Sequence, residues 1–299
     1  MSPRAMNHRI TLRRLFAGLF LIMLGLRAPC LSAEPAPTAL RAIYPGAATE
    51  ADARASYYLK LLELALQKSG LPYELRPNGQ LMVPSRVVSV MEAGGDVDVT
   101  WGPTTRELEQ RLLTVRVPID KGILGWRLLL IRADERAAFA AIRTPGQLRA
   151  LAAGQQRDRG DTTILKANGM KVIGASIYES MFQMLATNRF QYFPRGVGEI
   201  WGELSRHPEL DLEVEQHLAL HYPSVSYFFV SPHDPALARA IERGLRAAIK
   251  DGSFDALFDQ YNGATLARAK LGTRTVFELN NQLLPEVTLS QWRDEPLPR

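Results

Sequence analysis

Cysteine is almost absent from this 299-residue sequence, which contains only Cys30. Cys30 lies in a segment that we predict to be removed from the mature chain. A mature chain without cysteine has no thiol nucleophile, and it must fold on its apolar core without disulfides. The length is sufficient for two lobes with separate cores.

Apolar runs long enough to cross a bilayer are also absent. The apolar run at residues 15–26 has twelve residues, whereas a membrane-spanning helix needs about 20. Basic residues precede this run, and Leu31-Ser32-Ala33 follows it as a cleavage site. This order is typical of an export signal, which we predict at residues 1–33.

Excess charge disappears with the export signal. The whole chain has 36 basic and 31 acidic side chains, but residues 1–33 carry five arginines and no acid. The mature chain therefore has 31 side chains of each sign and a net charge of zero. A neutral chain gives no support for nucleic acid as a partner. Glycine and lysine are not spaced as in a nucleotide-binding P-loop, so no nucleotide cofactor is predicted.

Strands and helices alternate in the first half of the mature chain. Strands at residues 40–44, 71–75 and 96–101 are separated by helices at 56–69 and 85–91. This β-α-β-α-β order predicts a parallel sheet. The first helix has one apolar face, formed by Tyr58, Leu61, Leu62, Ala65 and Leu66.

The second half shows further strands and several helix caps. Strands are predicted at residues 126–132, 171–173, 210–214 and 226–230. Helices are predicted to begin at the caps Thr144, Ser176 and Asp234, and Ser176 forms a capping box with Glu179. Residues 154–162 are polar and contain glycine, which predicts a loop leading into a helix. The last helix is expected to end at Asn262-Gly263, with an extended tail over the surface after it.

The stretch at residues 94–113 predicts a binding site. A short strand ends at Gly102-Pro103, and Thr104 with Glu107 then forms a capping box that begins a helix. Arg106 falls in the first turn, where free backbone N–H groups point outward. A guanidinium at a helix N-terminus is a good receptor for a carboxylate. An exposed helix residue without a ligand is the alternative interpretation of Arg106.

Several segments resemble the extracellular solute-binding proteins of family 3, the amino-acid-binding type. The strand Gly95-Asp96-Val97-Asp98-Val99 with Arg106 resembles the family's Gly-x-x-Asp-x strand and Thr-Pro-Glu-Arg turn. Residues 118–122 before Trp126 resemble its crossing into a second lobe. Residues 185–193 resemble its Leu-x-x-Gly-Arg-x-Asp-Ala strand, and residues 226–262 resemble its closing strand and two helices. The resemblance covers about residues 38–263.

The resemblance implies an α/β chain with the type II periplasmic binding protein fold, in which two lobes of mixed sheets with flanking helices meet at a hinge. It assigns residues 34–127 and 226–263 to the first lobe, residues 128–225 to the second, and residues 264–299 to a C-terminal extension. It implies a periplasmic protein without enzymatic activity or cofactor. Such a protein binds a solute for an ABC transporter or a membrane sensor. In the family, the arginine matched by Arg106 grips the ligand's carboxylate.

Two departures from the family concern the ligand. In the family, the strand matched by Arg189 leads to an aspartate that holds an α-ammonium group, but Pro194-Arg195 occupies that place here. The threonine-rich run before the family arginine contains Trp101 instead. Arginines on both lobes suit a small anionic solute, and one with two acidic groups in particular. The expected ligand-binding residues are Tyr44, Trp101, Arg106, Arg157, Asp161, Thr162, Arg195 and Glu199.

Other chemistries fit the sequence less well. His217 and His221 are four residues apart, but their segment looks extended, so no metal site is predicted. A periplasmic dehydratase built on the same fold is the enzyme alternative. It would need a carboxylate or lysine in the cleft, and Asp161, Glu199 or Lys121 could serve. A sensor would use the same closing cleft as a transport protein, so the sequence leaves both roles open.

Overall fold

The computed structural model describes residues 39–46, 53–80, 82–157 and 159–286. The predicted export signal and the end of the predicted tail, residues 287–299, lie outside these ranges. No helix in the described ranges is long and apolar enough to cross a membrane.

The described residues form twelve strands and ten α-helices. The strands are β1 (Leu40–Tyr44), β2 (Tyr73–Pro77), β3 (Val99–Pro103), β4 (Leu113–Val115), β5 (Trp126–Arg132), β6 (Ala152–Gln156), β7 (Lys171–Ala175), β8 (Phe193–Gly196), β9 (Leu212–Val214), β10 (Leu218–His221), β11 (Ser226–Val230) and β12 (Thr275–Glu278). The helices are α1 (Ala53–Lys68), α2 (Pro84–Glu92), α3 (Arg106–Arg111), α4 (Arg136–Ala140), α5 (Pro145–Ala150), α6 (Gly160–Ala167), α7 (Ser180–Ala186), α8 (Ile200–Leu204), α9 (Pro235–Lys250) and α10 (Ser253–Ala269).

A first strand group consists of β1 to β4 with β11. β1 and β2 pair in parallel, and β11 lies between β3 and β4, antiparallel to both. Asp98 joins the two sheets, because its backbone N–H donates to Ile43 O at 2.8 Å and its carboxylate accepts from Ile43 N at 3.0 Å. The first strand group therefore contains both parallel and antiparallel pairs, whereas the sequence predicted a parallel sheet.

A second strand group consists of β5 to β10 with β12. β5 is central and pairs antiparallel with β8, β9 and β10. β12 adds a parallel edge strand to β10, and β6 and β7 pair in parallel beside them. A parallel bridge between Ala153 and Tyr192 joins β6 to the chain that leads into β8.

Helices α1 and α9 pack together over the first strand group. The predicted apolar face of α1 is confirmed, since its five residues are all buried. The predicted cap of α9 is also confirmed, because Asp234 accepts a hydrogen bond from Leu237 N at 2.9 Å. A side chain at Gly244 would place its Cβ 1.7 Å from Ala65 O, so this glycine allows the two helices to approach closely.

The chain passes between the two strand groups twice, at residues 116–125 and 222–225. Asp120 links the two crossings, since its buried carboxylate accepts hydrogen bonds from Ser226 Oγ at 2.7 Å and Gly122 N at 3.1 Å. Burial raises the pKa of Asp120, although these hydrogen bonds oppose that rise. A Cβ at Gly125 would lie 2.2 Å from Tyr222 O, so the crossings touch at the backbone.

The predicted loop at residues 154–162 is wrong in its first part. Residues 152–156 form β6, and Gly154 and Gln155 are buried there. A Cβ at Gly154 would lie 2.2 Å from the Phe190 ring, so glycine is needed for close packing. The glycine at position 154 therefore reflects packing inside a strand and not a turn.

Two predicted helix boundaries are also wrong. α7 begins at Ser180 without a side-chain cap, and Ile177, predicted on its buried face, is 69% exposed. α10 continues past Asn262-Gly263 to Ala269, and the Asn262 side chain donates from its Nδ2 to Phe258 O within the helix at 3.1 Å. The predicted extended tail instead includes the end of this helix and the edge strand β12.

Candidate functional site

A cavity of about 380 Å³ lies between the two strand groups. Its volume is within the range of small-molecule sites, about 300–1,000 Å³. The first strand group and the loop after β3 contribute Trp101 and residues 102–105. The second group contributes Arg127, Asp161, Arg195 and Glu199, and the second crossing contributes Tyr222 and Ser224.

Arg127, the second residue of β5, is the central cation of the cavity. Its Nε donates to Tyr222 OH at 2.7 Å, and its Nη2 donates to Asp161 Oδ1 at 2.9 Å. Tyr222 OH also donates to Asp161. The Arg127 side chain is only 11% exposed. The three side chains therefore form a network that joins β5, the start of α6 and the second crossing.

Both members of the Arg127–Asp161 pair are held in their charged forms. Burial alone would lower the pKa of Arg127, but Asp161, Tyr222 and Glu199 together more than offset this and raise it. Burial likewise opposes ionisation of Asp161, but the Arg127 guanidinium, the hydrogen bond from Tyr222 and the charge of Arg195 together bring the pKa of that carboxyl below its usual value. The cavity wall thus carries a fixed cation beside a fixed anion.

Arg195 is a second cation, and carboxylates on its own lobe hold it. Its Nε and Nη2 donate to Glu203 at 2.7 Å each, and Nη2 also donates to Glu199 at 2.6 Å. The guanidinium lies 4.8 Å from the Phe193 ring centre and 5.1 Å from that of Tyr178. Arg195 is 4% exposed. Its charge is therefore largely matched before any ligand enters.

The N-terminus of α6 forms the third charged part of the wall. Arg159 precedes the helix, and Gly160 and Asp161 begin it, and all three line the cavity. The Arg159 side chain is exposed and has no hydrogen-bond partner among the described residues. Thr162 is directed elsewhere, since its buried hydroxyl donates to Gln156 O at 2.7 Å. Arg159 and the first turn of α6 therefore remain available to an anion.

An aromatic side chain closes the opposite wall. The Trp101 ring centre lies 6.2 Å from those of Tyr44 and Tyr58, and 6.4 Å from that of Phe228. Trp101 lines the cavity, whereas Tyr44 supports it from behind. The site thus has one apolar aromatic face and one charged face.

The cavity brings together four of the eight residues expected from the sequence. Trp101, Asp161, Arg195 and Glu199 line it. Tyr44, Arg106, Arg157 and Thr162 are not among its lining residues.

The position of Arg106 follows from the start of α3. Thr105 is the cap, because its Oγ1 accepts from Leu108 N at 3.2 Å, whereas Thr104 Oγ1 donates to Glu109 at 2.7 Å. The predicted capping box between Thr104 and Glu107 is therefore wrong by one residue. Arg106 becomes the first residue of a six-residue helix, with its side chain exposed.

Sequence reasoning missed Arg127, Arg159 and Tyr222. One signal for Arg127 is present, because it is a charged residue inside the otherwise apolar segment 126–131. A charge at such a position must find a partner when the strand is buried. Asp161 was among the expected ligand-binding residues, but its partner Arg127 on β5 is distant from it in sequence.

His217 and His221 are the two residues at which the sequence analysis weighed a metal site and predicted none. His221 lies on β10, where its Nδ1 is 2.7 Å from Glu278 and its ring stacks on Trp126 at 4.3 Å. Among the described residues there is no group of three or more His, Cys, Asp or Glu side chains that could hold a metal ion.

Comparison with known proteins gives structural matches only. No family model matches the sequence, and no curated protein matches it. The periplasmic VFT2 domain of Bordetella pertussis BvgS aligns with a TM-score of 0.54 and 13% identity, over 75% of this chain and 93% of that domain. An ancestral arginine-binding protein bound to arginine aligns with a TM-score of 0.51 and 15% identity, over 76% of this chain and 99% of that one. The chain has the type II periplasmic binding protein fold.

We refer to the parts of the chain built on the first and second strand groups as the first and second lobes, and to the cavity between them as the cleft. The two crossings lie where this fold has its hinge. YckB from Bacillus subtilis aligns with a TM-score of 0.50 and 15% identity, over 80% of this chain and 95% of that protein. Identities this low support the fold and leave the ligand to be argued from the cleft itself.

Proposed function

We propose that this protein binds a small carboxylate-bearing solute in its cleft, outside the cytoplasm, on behalf of a membrane transporter or sensor. The observation that carries the proposal is Arg127, a guanidinium held charged in the cleft wall. Arg159 lies on the same side, at the N-terminus of α6. A carboxylate placed there would receive charge-assisted hydrogen bonds from both the side chain and the helix.

The arginines of the cleft favour an acidic solute, and the cleft's carboxylates could also accept a hydrogen bond from a donor group of that solute. Three arginines line the cavity, Arg127, Arg159 and Arg195, against the carboxylates Asp161 and Glu199. Because Arg195 is also paired with Glu203, Arg127 and Arg159 are the better anchors. The two-arginine anchor predicted at Arg106 and Arg195 is therefore replaced by this pair in our proposal.

The dehydratase alternative receives less support from the cleft. Asp161 has a lowered pKa and is bonded to Arg127 and Tyr222, so it is a weak base and a poor acid. Lys121 is not among the cavity-lining residues, and its Nζ pairs with Asp255 at 2.8 Å. Glu199 is engaged with Arg195 at 2.6 Å. These groups are arranged to hold charge in place rather than to move protons.

A thermal-shift screen tests the proposal. The panel contains acetate, succinate, glutarate, L-glutamate and methanesulfonate, with glucose as a neutral control and agmatine, which has no carboxylate, as a cationic one. A ligand at 100 times its Kd stabilises the native state by about 2.7 kcal/mol, which raises the Tm of a domain of this size by roughly 5–10 °C. We expect a carboxylate to give the largest shift. A shift with glucose or agmatine alone would contradict the proposal.

Two further measurements test whether the protein is exported and whether it changes its solute chemically. Mass spectrometry of exported protein should give a chain that begins at Glu34, after the predicted cleavage site. NMR of the bound solute after prolonged incubation should show it unchanged. A new product that depends on Asp161 or Glu199 would favour the dehydratase instead.

A further inference from the structure

The C-terminal segment returns to the cleft after leaving α10. β12 adds to the edge of the second lobe's sheet, parallel to β10, and the chain then continues to Asn281 and Leu283. Both residues line the same cavity as Arg127 and Asp161. The cleft therefore has a third wall, formed by residues that follow both lobes in the sequence.

This segment is anchored firmly on the second lobe. Phe277, Leu279 and Leu284 are each at most 5% exposed. Just before β12, the buried guanidinium of Arg274 donates to the backbone oxygens of Ala269, Glu215 and Leu218 at 2.6–2.9 Å. The position of the segment is thus fixed by apolar burial and by buried hydrogen bonds together.

Hydrogen bonds carry the segment from this anchor to the start of α6. Asn280 and Asn168 form a reciprocal pair, with Asn280 N donating to Asn168 Oδ1 at 2.9 Å and Asn168 Nδ2 donating to Asn280 O at 2.8 Å. Gln282 Nε2 donates to Thr163 O at 3.2 Å on the same helix. The segment therefore follows α6 toward its N-terminus, where the charged face of the cleft lies.

Asn281 fixes the backbone of Leu283. Its Nδ2 donates to Pro223 O in the second crossing at 2.8 Å, and its Oδ1 accepts from Leu283 N at 3.0 Å. Both polar atoms of the carboxamide are thus used inside the protein. Asn281 is therefore suited to positioning its neighbour rather than to binding a solute itself.

Leu283 covers the first turn of α6. A Cβ added to Gly160 would lie 3.3 Å from Leu283 Cδ1, so the leucine side chain lies directly over this glycine. Gly160 is adjacent to Asp161 and to Arg159, which we propose as an anchor. A solute whose carboxylate binds there must place its neighbouring atoms against Leu283.

We propose that Leu283 is a ligand-contact residue held in place by Asn281, and that the C-terminal segment helps to select the solute. Its chemistry favours a hydrocarbon part next to the carboxylate, because the leucine offers no hydrogen bond. This inference rests on the proposed function of the cleft. Nothing in the two lobes alone would supply this wall.

Cysteine labelling provides a direct test, because Cys30 is the only cysteine of the chain. In a Cys30→Ser background, Leu283→Cys and the matched control Gln282→Cys are modified with 5,5′-dithiobis(2-nitrobenzoate). The panel carboxylate with the largest thermal shift is then added at saturation. We expect labelling of the Leu283→Cys variant to slow at least tenfold, and labelling of the control to change less than twofold. Equal rates with and without the carboxylate at position 283 would overturn the inference.

A double-mutant cycle tests the positioning role of Asn281. By calorimetry with the same carboxylate, Leu283→Ala should weaken binding about tenfold and Asn281→Ala by at least threefold, while Gln282→Ala should leave it unchanged. In the Leu283→Ala background, Asn281→Ala should add less than twofold, because its effect acts through the leucine. Additive losses would overturn the positioning role, and unchanged affinity in Leu283→Ala would overturn the contact.

The two proposals can fail separately. If wild-type protein binds a panel carboxylate but position 283 is not protected, only the role of the C-terminal segment is refuted. If wild-type protein binds no carboxylate of the panel, the proposed function and this inference are both refuted. Leu283→Met, which keeps an apolar side chain of similar volume, should retain binding within about threefold, and an unchanged thermal unfolding profile in each alanine variant would show that it folds.

Discussion

Replacing Arg127 by alanine should destabilise the protein through the carboxylate that it leaves behind. The side chains of Arg127 and Asp161 are 11% and 19% exposed, so the pair is largely shielded from water. Removing one member of a buried pair costs about 3–5 kcal/mol, because the remaining charge is uncompensated. Since both side chains keep some exposure, we expect Arg127→Ala to lower the free energy of unfolding by about 3 kcal/mol at pH 7.

The pH dependence distinguishes this mechanism from a simple loss of packing. In the wild type, the pKa of Asp161 is lowered. Its stabilising contribution is therefore present above the unfolded value of about 3.9 and is lost as pH falls through the folded pKa. In Arg127→Ala, burial is no longer opposed by the guanidinium, so the pKa of Asp161 should rise above the unfolded value. Acidification to pH 4.5 then relieves the variant, while the contribution of Asp161 to the wild type is still present at that pH.

Urea unfolding at pH 7 and at pH 4.5 measures both effects. The stability difference between wild type and Arg127→Ala should be largest at pH 7 and should shrink at pH 4.5. The double variant Arg127→Leu/Asp161→Leu is the control, because replacing both charges by apolar groups is often neutral or stabilising. A loss below about 1 kcal/mol in Arg127→Ala, or an equal loss at both pH values, would refute the reasoning.

Features set by local sequence were predictable. The apolar face of α1, the Asp234 cap of α9 and the Thr144 cap of α5 are all present. Strands β5 and β11 have the predicted bounds. Each of these features depends on spacing within a few residues, where helix and strand periodicity act directly.

The binding residues were less predictable, because each depends on a partner distant in sequence. Arg127 pairs with Asp161 across 34 residues and bonds Tyr222 across 95 residues. Arg106 illustrates the opposite case, since a local pattern marked it as a binding residue, but its side chain is exposed at the start of α3 and does not line the cavity. Local rules therefore identify candidate side chains, while the packing of distant segments decides which of them meet.

The C-terminal segment gave no local signal of its role. β12 has four residues, and its pairing partner β10 lies 57 residues earlier in the chain. A strand this short is recognisable only by the edge it joins, and parallel pairing has no connecting turn that a sequence pattern could reveal. The contribution of Leu283 to the cleft likewise depends on the buried anchors before and after it.

Three further predictions concern exposed or tightly packed positions. Arg106→Ala should change the affinity for the screened carboxylate less than twofold in calorimetry, because this side chain is exposed outside the cavity. Asp251 accepts a hydrogen bond from the Lys68 ammonium at 2.5 Å. An NMR titration should therefore give Asp251 a pKa of about 2. Its stabilising contribution should be lost as pH falls toward that value. Gly244→Ala should lower the free energy of unfolding by roughly 1–3 kcal/mol in urea, because its Cβ would lie 1.7 Å from Ala65 O and must force α1 and α9 apart. Gly202→Ala, with nothing within 4 Å of its Cβ, is the matched control, and equal stability of the two variants would show that the helices do not depend on this close approach.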